Sequence, residues 1–483
     1  SPKAAALEEP AMLPAMIVEE SRLWRYLTHP RFEILADAPD AVAARFAADF
    51  QACLQMADVL VPPSARLRLN QPILVVMGGE NHPWQPRGKV GRMLDGSLED
   101  NLVVHIAGRG GPRSSAQGLA SQVVLEEFLP LTMRGSVPAP ELWLFRAFTH
   151  FLSAVQMEGT RLHLEGLEPT FAKRLELVPL RTLASFLRGR SFIDKPARTT
   201  EERRVAYTAQ LFVGWALFSD GGVYRSRFWE FYRRSALFPN SDEVLFRECF
   251  DLTYAEALRR LEIFRYQAGK VATIELGPLL NATVEPSEPR RASAAEITRI
   301  LGEWWRIDSV ANGLWKSPED GSPLFKRDLH PSVARSFDRF LAKTPSPDLG
   351  MIAAEGIALA EAGRDGDAQP WLEAAFAARS TRPRVSLELA RIRMGGRSNL
   401  SAPEVAHVLE PLRRAYEQST QQATYYELLA TLWESTPVKP SRAELASLVE
   451  GARLFPLQTD FILRVARLHA IHGFGDEVKS LCE

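Results

Sequence analysis

Apolar positions alternate near the front of the chain and recur at helical spacing behind it. Arg31–Asp37 places Phe32, Ile34 and Ala36 two apart, the period of a strand. Asp37-Ala38-Pro39 then opens a helix whose Val42, Phe46, Phe50 and Leu54 fall on one face. Ile73–Met77 and Leu102–Ala107 are short apolar runs suited to buried strands, and the Gly- and Pro-rich stretch Gly78–Lys89 reads as a long loop between them. After Gly108–Pro112 the pattern predicts helices over Ser114–Met133, Glu141–Val155, Glu201–Phe218, Ser226–Ala236 and Tyr254–Tyr266. A strand-like piece, KVATIELGPL, follows and ends near Leu280.

From about Leu349 the pattern is helix–turn–helix, repeated. Comparable first helices start near Leu349, Ser386, Thr424 and Thr459, a period in the mid-to-upper thirties and close to the tetratricopeptide spacing. Ala360, Gly363, Ala368 and Ala375 are small residues where paired helices must approach, and Leu463, Ala466, Gly473 and Val478 echo part of that set. The expected class is α+β: a small mixed sheet with helices, then an all-α repeat domain. The expected division is a loose leader over 1–20, a front domain over 21–285, a helical connector over 286–345 and repeats over 346–483.

Composition narrows the functional classes. The chain has 483 residues, enough for two or three domains. With 46% hydrophobic and 24% charged residues it is ordinary globular material, not a disordered chain. No apolar run approaches the ~20 residues of a membrane span. Basic residues number 58 against 59 acidic ones, a net charge of −1, so the Arg excess over Lys builds no nucleic-acid-binding field. The three cysteines, Cys53, Cys249 and Cys482, lie far apart and form neither a metal-spaced pair nor a disulfide framework. The opening SPKAAALEEP has no initiator Met, which is expected where a leading segment has been removed or left out.

Motifs for chemistry are missing. HExxH, which lets two histidines at i and i+4 grip a zinc while the glutamate activates water, does not occur. His469 and His472 are a close pair, but at i and i+3 near a helix end; His29, His82, His105, His150 and His163 are isolated. GxSxG is absent, and Ser114-Ser115 suits a helix cap. Gly78-Gly79 and Gly108–Gly111 match neither GxGxxG nor GxxxxGK[ST]. Residue types and spacing therefore yield no catalytic, cofactor or metal-binding residue.

Several segments taken in order resemble a bacterial family of secreted, gluzincin-like metallopeptidases that often carry tetratricopeptide repeats behind the peptidase domain. Trp24–Asp37, WRYLTHPRFEILAD, looks like the family's tryptophan-containing turn and F-x-I-x-S-D strand. Val123–Pro130, VVLEEFLP, takes the place of the helix V-L-H-E-Y-x-H, and Pro140–Leu152, PELWLFRAFTHFL, resembles P-x-W-L-x-E-G-L-A-E-Y. Tyr207–Phe218, YTAQLFVGWALF, resembles a later Y-x-x-S-W-x-L helix. The resemblance covers about residues 21–285.

Carried over position by position, the first zinc histidine becomes Glu126, the catalytic glutamate is kept as Glu127, the second histidine becomes Pro130 and the third ligand becomes Arg146. Pro130 would also clash with the carbonyl of Glu126, and Arg146 would repel a dication. The resemblance implies a degenerate peptidase without zinc, in which Arg146 could pair with Glu126 or Glu127 instead. The expected function is a catalytically inactive, extracytoplasmic module that binds a peptide or protein partner. The alternative is a hydrolase using Glu127 or another carboxylate without the standard metal.

Overall fold

The computed structural model describes residues 24–62, 72–78, 103–107, 120, 123–124, 155–158, 161–164, 200–237, 243–267, 272–275, 285–312, 347–418, 423–455 and 458–474. In chain order these form β1 (Arg25–His29), β2 (Phe32–Ala36), α1 (Asp40–Leu60), β3 (Ile73–Gly78), β4 (Val103–Ala107), β5 (Val155–Glu158) and β6 (Arg161–Leu164). Then come α2 (Thr200–Phe218), α3 (Arg225–Leu237), α4 (Glu243–Phe250), α5 (Tyr254–Gln267), β7 (Ala272–Glu275), β8 (Arg290–Arg291) and α6 (Ala294–Asn312). The chain closes with α7 (Leu349–Glu361), α8 (Asp365–Ala377), α9 (Pro383–Met394), α10 (Ala402–Gln418), α11 (Ala423–Glu434), α12 (Arg442–Leu454) and α13 (Thr459–Ile471). This is an α+β chain dominated by helices. No helix among the described residues is long and apolar enough to cross a membrane.

Packing divides the chain into two compact units: residues 1–47, 69–116 and 284–483 in one, and 48–68 with 117–283 in the other. The strands at the front thus group with the helical pairs at the back. Packing groups residues differently from the expected division at 285 and 345, because the apolar cluster under the sheet continues into α7, α8 and α9.

In the first unit the strand order is β4-β3-β2-β1-β8. β1 and β2 form an antiparallel hairpin across Pro30-Arg31, while β2–β3 and β3–β4 are parallel. Ile73–Met77 of β3 are all buried, as expected of a strand covered on both faces. Register sets the two faces: Tyr26 lies opposite Leu35, Glu33 opposite Leu74, and Leu35 opposite Val76. Tyr26, Leu35, Leu74 and Val76 join Ile300 and Leu301 of α6 and Met351, Ala354 and Ile357 of α7 in one hydrophobic cluster.

Behind α6 the helices run in pairs, α7 with α8, α9 with α10, and α11 with α12. First helices begin at Leu349, Pro383, Ala423 and Thr459, so the intervals are 34, 40 and 36 residues. Each first helix also packs on the next, α7 on α9, α9 on α11 and α11 on α13. α9 starts at Pro383, ahead of the expected Ser386, because proline's fixed φ and missing N–H suit a helix's first position.

Among the expected small contacts, Ala360, Ala368 and Ala375 are buried. Gly363 and Gly473 are not contacts: both have φ in the left-handed region and end their helices, with Arg364 N donating to Leu359 O and Phe474 N to His469 O. Leu463 is 59% exposed, and Val478 lies outside the described residues. The close approach in the first pair is at Gly356, where a Cβ would stand 2.9 Å from Leu372 Cδ2. On α1, Val42 is exposed, and the buried stripe runs through Ala43, Phe46, Phe50 and Leu54.

In the second unit α2–α5 enclose an aromatic cluster in which Phe212 lies within 5.7–6.2 Å of Trp215, Phe228, Phe246 and Phe250, ring centre to ring centre. Such rings bury large apolar areas and favour tilted and edge-on contacts. β5, β6 and β7 form an antiparallel three-stranded sheet. Val155, the last residue of the helix expected over Glu141–Val155, instead opens β5, and residues 141–154 lie outside the described residues.

Candidate functional site

The positions that the peptidase resemblance singles out, Glu126, Glu127, Pro130 and Arg146, lie outside the described residues. Val123 and Val124 just ahead of them are fully buried. Trp215, in the segment that resembles the Y-x-x-S-W-x-L helix, belongs to the aromatic core, its ring tilted against that of Tyr224 at 4.6 Å. His469 is buried with its Nδ1 2.9 Å from Val465 O, and His472 caps the end of α13. His29 Nδ1 accepts from Arg31 N at 3.1 Å across the hairpin turn. Cys53 and Cys249 are buried and form no disulfide with each other, and burial pushes the Cys249 thiol above its ordinary value. No group of three or more His, Cys, Asp or Glu side chains among the described residues could hold a metal ion.

What the described residues do assemble is a charged cavity in the first unit. Strand alternation places Glu33 on the face that also buries Leu35 and Leu74, so a carboxylate points toward the core. Arg299 of α6 meets it, and Tyr26 Oη donates to Glu33 Oε2 at 2.8 Å. Burial and then the neighbouring carboxylate push the Tyr26 phenol up, so it stays a donor. Burial alone would lower the Arg299 guanidinium, but Glu33 outweighs it and holds it above the ordinary value. Arg299 reaches Glu33 by crossing Gly350, where a Cβ would stand 2.8 Å from Arg299 Cδ.

One turn further along α6, Glu303 accepts from Arg382 Nη2 at 2.7 Å. That pair is enclosed, with side chains 2% and 8% exposed. Arg382 stands just ahead of α9, which has no side-chain cap, whereas Asp348 caps α7 by accepting from Met351 N at 2.8 Å. The two ion pairs edge a cavity of about 170 Å³. Leu74, Leu349 and Ala353 give it an apolar wall, and Ser380 and Thr381 a polar one.

Beyond the cavity α9 continues as a row of arginines, each held by acids of its neighbours. Arg384 donates to Glu388 at 2.8 Å and Glu361 at 3.0 Å; Arg391 holds Asp365 at 2.7 and 2.9 Å. Arg393 binds Glu373 at 2.7 Å, and its guanidinium and that of Arg414 lie 5.6 and 3.7 Å from the centre of the Phe376 ring. These charges knit the first two helical pairs together. None of the four cavity charges stands out in the sequence, since Glu33 and Arg299 are 266 positions apart. The one local signal is a glutamate inside F-E-I-L-A at the same parity as a buried leucine. The arrangement carries no activated nucleophile and no metal cage; its chemistry is recognition by paired charge. Compared with known proteins, the chain matches no family model, no curated protein and no solved structure.

Proposed function

We propose that this chain is a non-catalytic scaffold that binds a protein or peptide, combining a degenerate gluzincin-like front part with tetratricopeptide-like repeats and acting outside the cytoplasm. The observation that carries this reading is the stack of first helices, α7 on α9 on α11 on α13, at intervals of 34 to 40 residues. Stacked helical pairs present successive first helices side by side, a surface on which an extended partner can lie. On α11 and α13 the outward positions Glu427, Thr431, Leu463 and Arg467 are exposed and mix charge with apolar area. The peptidase part of the reading is supported by the Trp24–Asp37 segment, which forms the β1–β2 hairpin with Trp24 buried at its base.

Two measurements test it together. Elemental analysis and casein digestion should give no stoichiometric zinc and no chelator-sensitive proteolysis, since a catalytic zinc needs about three protein ligands. Capture experiments in the native organism's extract, comparing the wild type with Leu463→Asp, should lose a specific partner in the variant. One bound metal per chain together with proteolysis would overturn the reading, as would identical captures from both proteins.

A further inference from the structure

The geometry points to a binding site for a small zwitterion, of the size of a free α-amino acid, in the cavity between the inward face of the sheet, α6 and the starts of α7 and α9. Size is the first argument. At about 30 Å³ per water, 170 Å³ holds roughly five or six waters, well under the ~300 Å³ of ordinary small-molecule pockets. Glycine, alanine and serine are each smaller than that and fit inside it.

Charge is the second argument. Glu33 and Glu303 bring two negative charges to the cavity, Arg299 and Arg382 two positive ones, and the sum is zero. A simple anion would meet both carboxylates, and a simple cation both guanidiniums. A ligand bearing both signs can set each charge against its opposite. Arg299 and Glu303 are four residues apart on α6, so one helix face brings both signs to the cavity wall. Because Glu303 and Arg382 are almost fully enclosed, water screens them little, and their orientation is set before any ligand arrives.

The surrounding backbone favours the same class. α9 begins at the cavity with no side chain capping it; Pro383 has no N–H and Val385 N donates to Arg382 O at 3.1 Å, so what this helix start offers is the positive end of its dipole. A ligand carboxylate seated beside Arg382 would meet both the guanidinium and the positive end of that helix. The ammonium would then lie toward a glutamate, and a short side chain against Leu74 and Ala353. This site does not depend on whether the repeats bind a partner.

Isothermal titration of the full chain at low salt, with glycine, L-alanine and L-serine as probes, tests the inference. Acetate and ethylammonium, of similar size but one sign each, are the controls. At least one amino acid should bind, with both controls roughly tenfold weaker or worse. Ala353→Leu, which fills the cavity and leaves all four charges in place, should abolish the binding while circular dichroism stays unchanged. The inference is overturned if none of the three amino acids binds up to about 10 mM. It is equally overturned if a control binds as tightly, or if folded Ala353→Leu binds as the wild type does. Should Ala353→Leu fail to fold, the zwitterion-against-control comparison on the wild type decides alone.

Discussion

Gly451 and Gly366 carry the same side chain, a hydrogen, in opposite surroundings. A Cβ at Gly451 would stand 2.5 Å from Tyr426 Cδ1, so α11 and α12 meet only because nothing is there. At Gly366, near the start of α8, a Cβ meets nothing within 4 Å. Gly451→Ala should therefore destabilise by about 1–3 kcal/mol through overpacking. Gly366→Ala should be neutral or stabilise by up to about 1 kcal/mol, since Ala is the better helix residue. Urea unfolding of the two variants distinguishes them, and equal effects would contradict the close approach.

Arg382 offers a second test at this scale. Arg382→Met removes the guanidinium facing the enclosed Glu303 and should cost about 3–5 kcal/mol; adding Glu303→Leu should recover a large part of that loss. A double variant no better than the single would mean the two groups are not coupled. From sequence, glycines such as Gly363 announce themselves by position between paired helices, yet Gly356 and Gly451 are the ones at helix contacts in these pairs. Which glycine makes a turn and which makes a contact depends on a partner helix that local pattern does not show.

Helix starts are where individual elements were most legible. Ser293-x-x-Glu296, Thr253-x-x-Glu256 and Ser441-x-x-Glu444 each close a reciprocal box at the front of α6, α5 and α12. Ser441→Ala should cost about 1 kcal/mol of stability, read by thermal unfolding. At the front of α10 the Ser401 hydroxyl and N–H donate to Glu404, and with Arg397 they hold its carboxyl down at about 2. The folded value lies below the unfolded one, so this contribution is fully present above about pH 4.5 and is lost as pH falls toward 2. Ser401→Ala should raise the Glu404 pKa toward the ordinary carboxylate range, visible by NMR titration, and an unchanged value would refute the assignment. The strands were read less well. β1 hides in W-R-Y-L-T-H, and β8 consists of two exposed arginines, Arg290 and Arg291, with no apolar signal at all. Its existence follows from pairing with β1, a tertiary fact.

At the scale of the whole molecule, the pairing of helices behind residue 349 was legible because apolar positions recur at helical spacing there, whereas the attachment of those pairs to the sheet was not. One hydrophobic cluster joins the sheet to the helical pairs: Tyr26, Leu35, Leu74 and Val76 pack together with Met351, Ile357 and Leu372. A chain ending at residue 345 should thus expose the inward sheet face and lose cooperative thermal unfolding or aggregate. A sharp unfolding transition of that shortened chain, with the sheet intact by circular dichroism, would show that the cluster is dispensable. The candidate cavity stayed hidden for the same reason, since it draws its charges from a strand near residue 33, a helix near 300 and a turn near 382.

The link between Glu33 and Arg299, 266 positions apart, also has a consequence in time. At ribosomal rates of about 5–20 residues per second, the strand bearing Glu33 waits roughly 13–53 s before its arginine is made. For that interval β1 lacks β8, and the sheet's inward face lacks both α6 and α7. Long-range pairing of this kind slows folding and leaves strand edges open to neighbours. The newborn chain is therefore a natural client for a holding chaperone over its first 300 residues, and its yield should respond to translation speed more than to the stability of the finished fold.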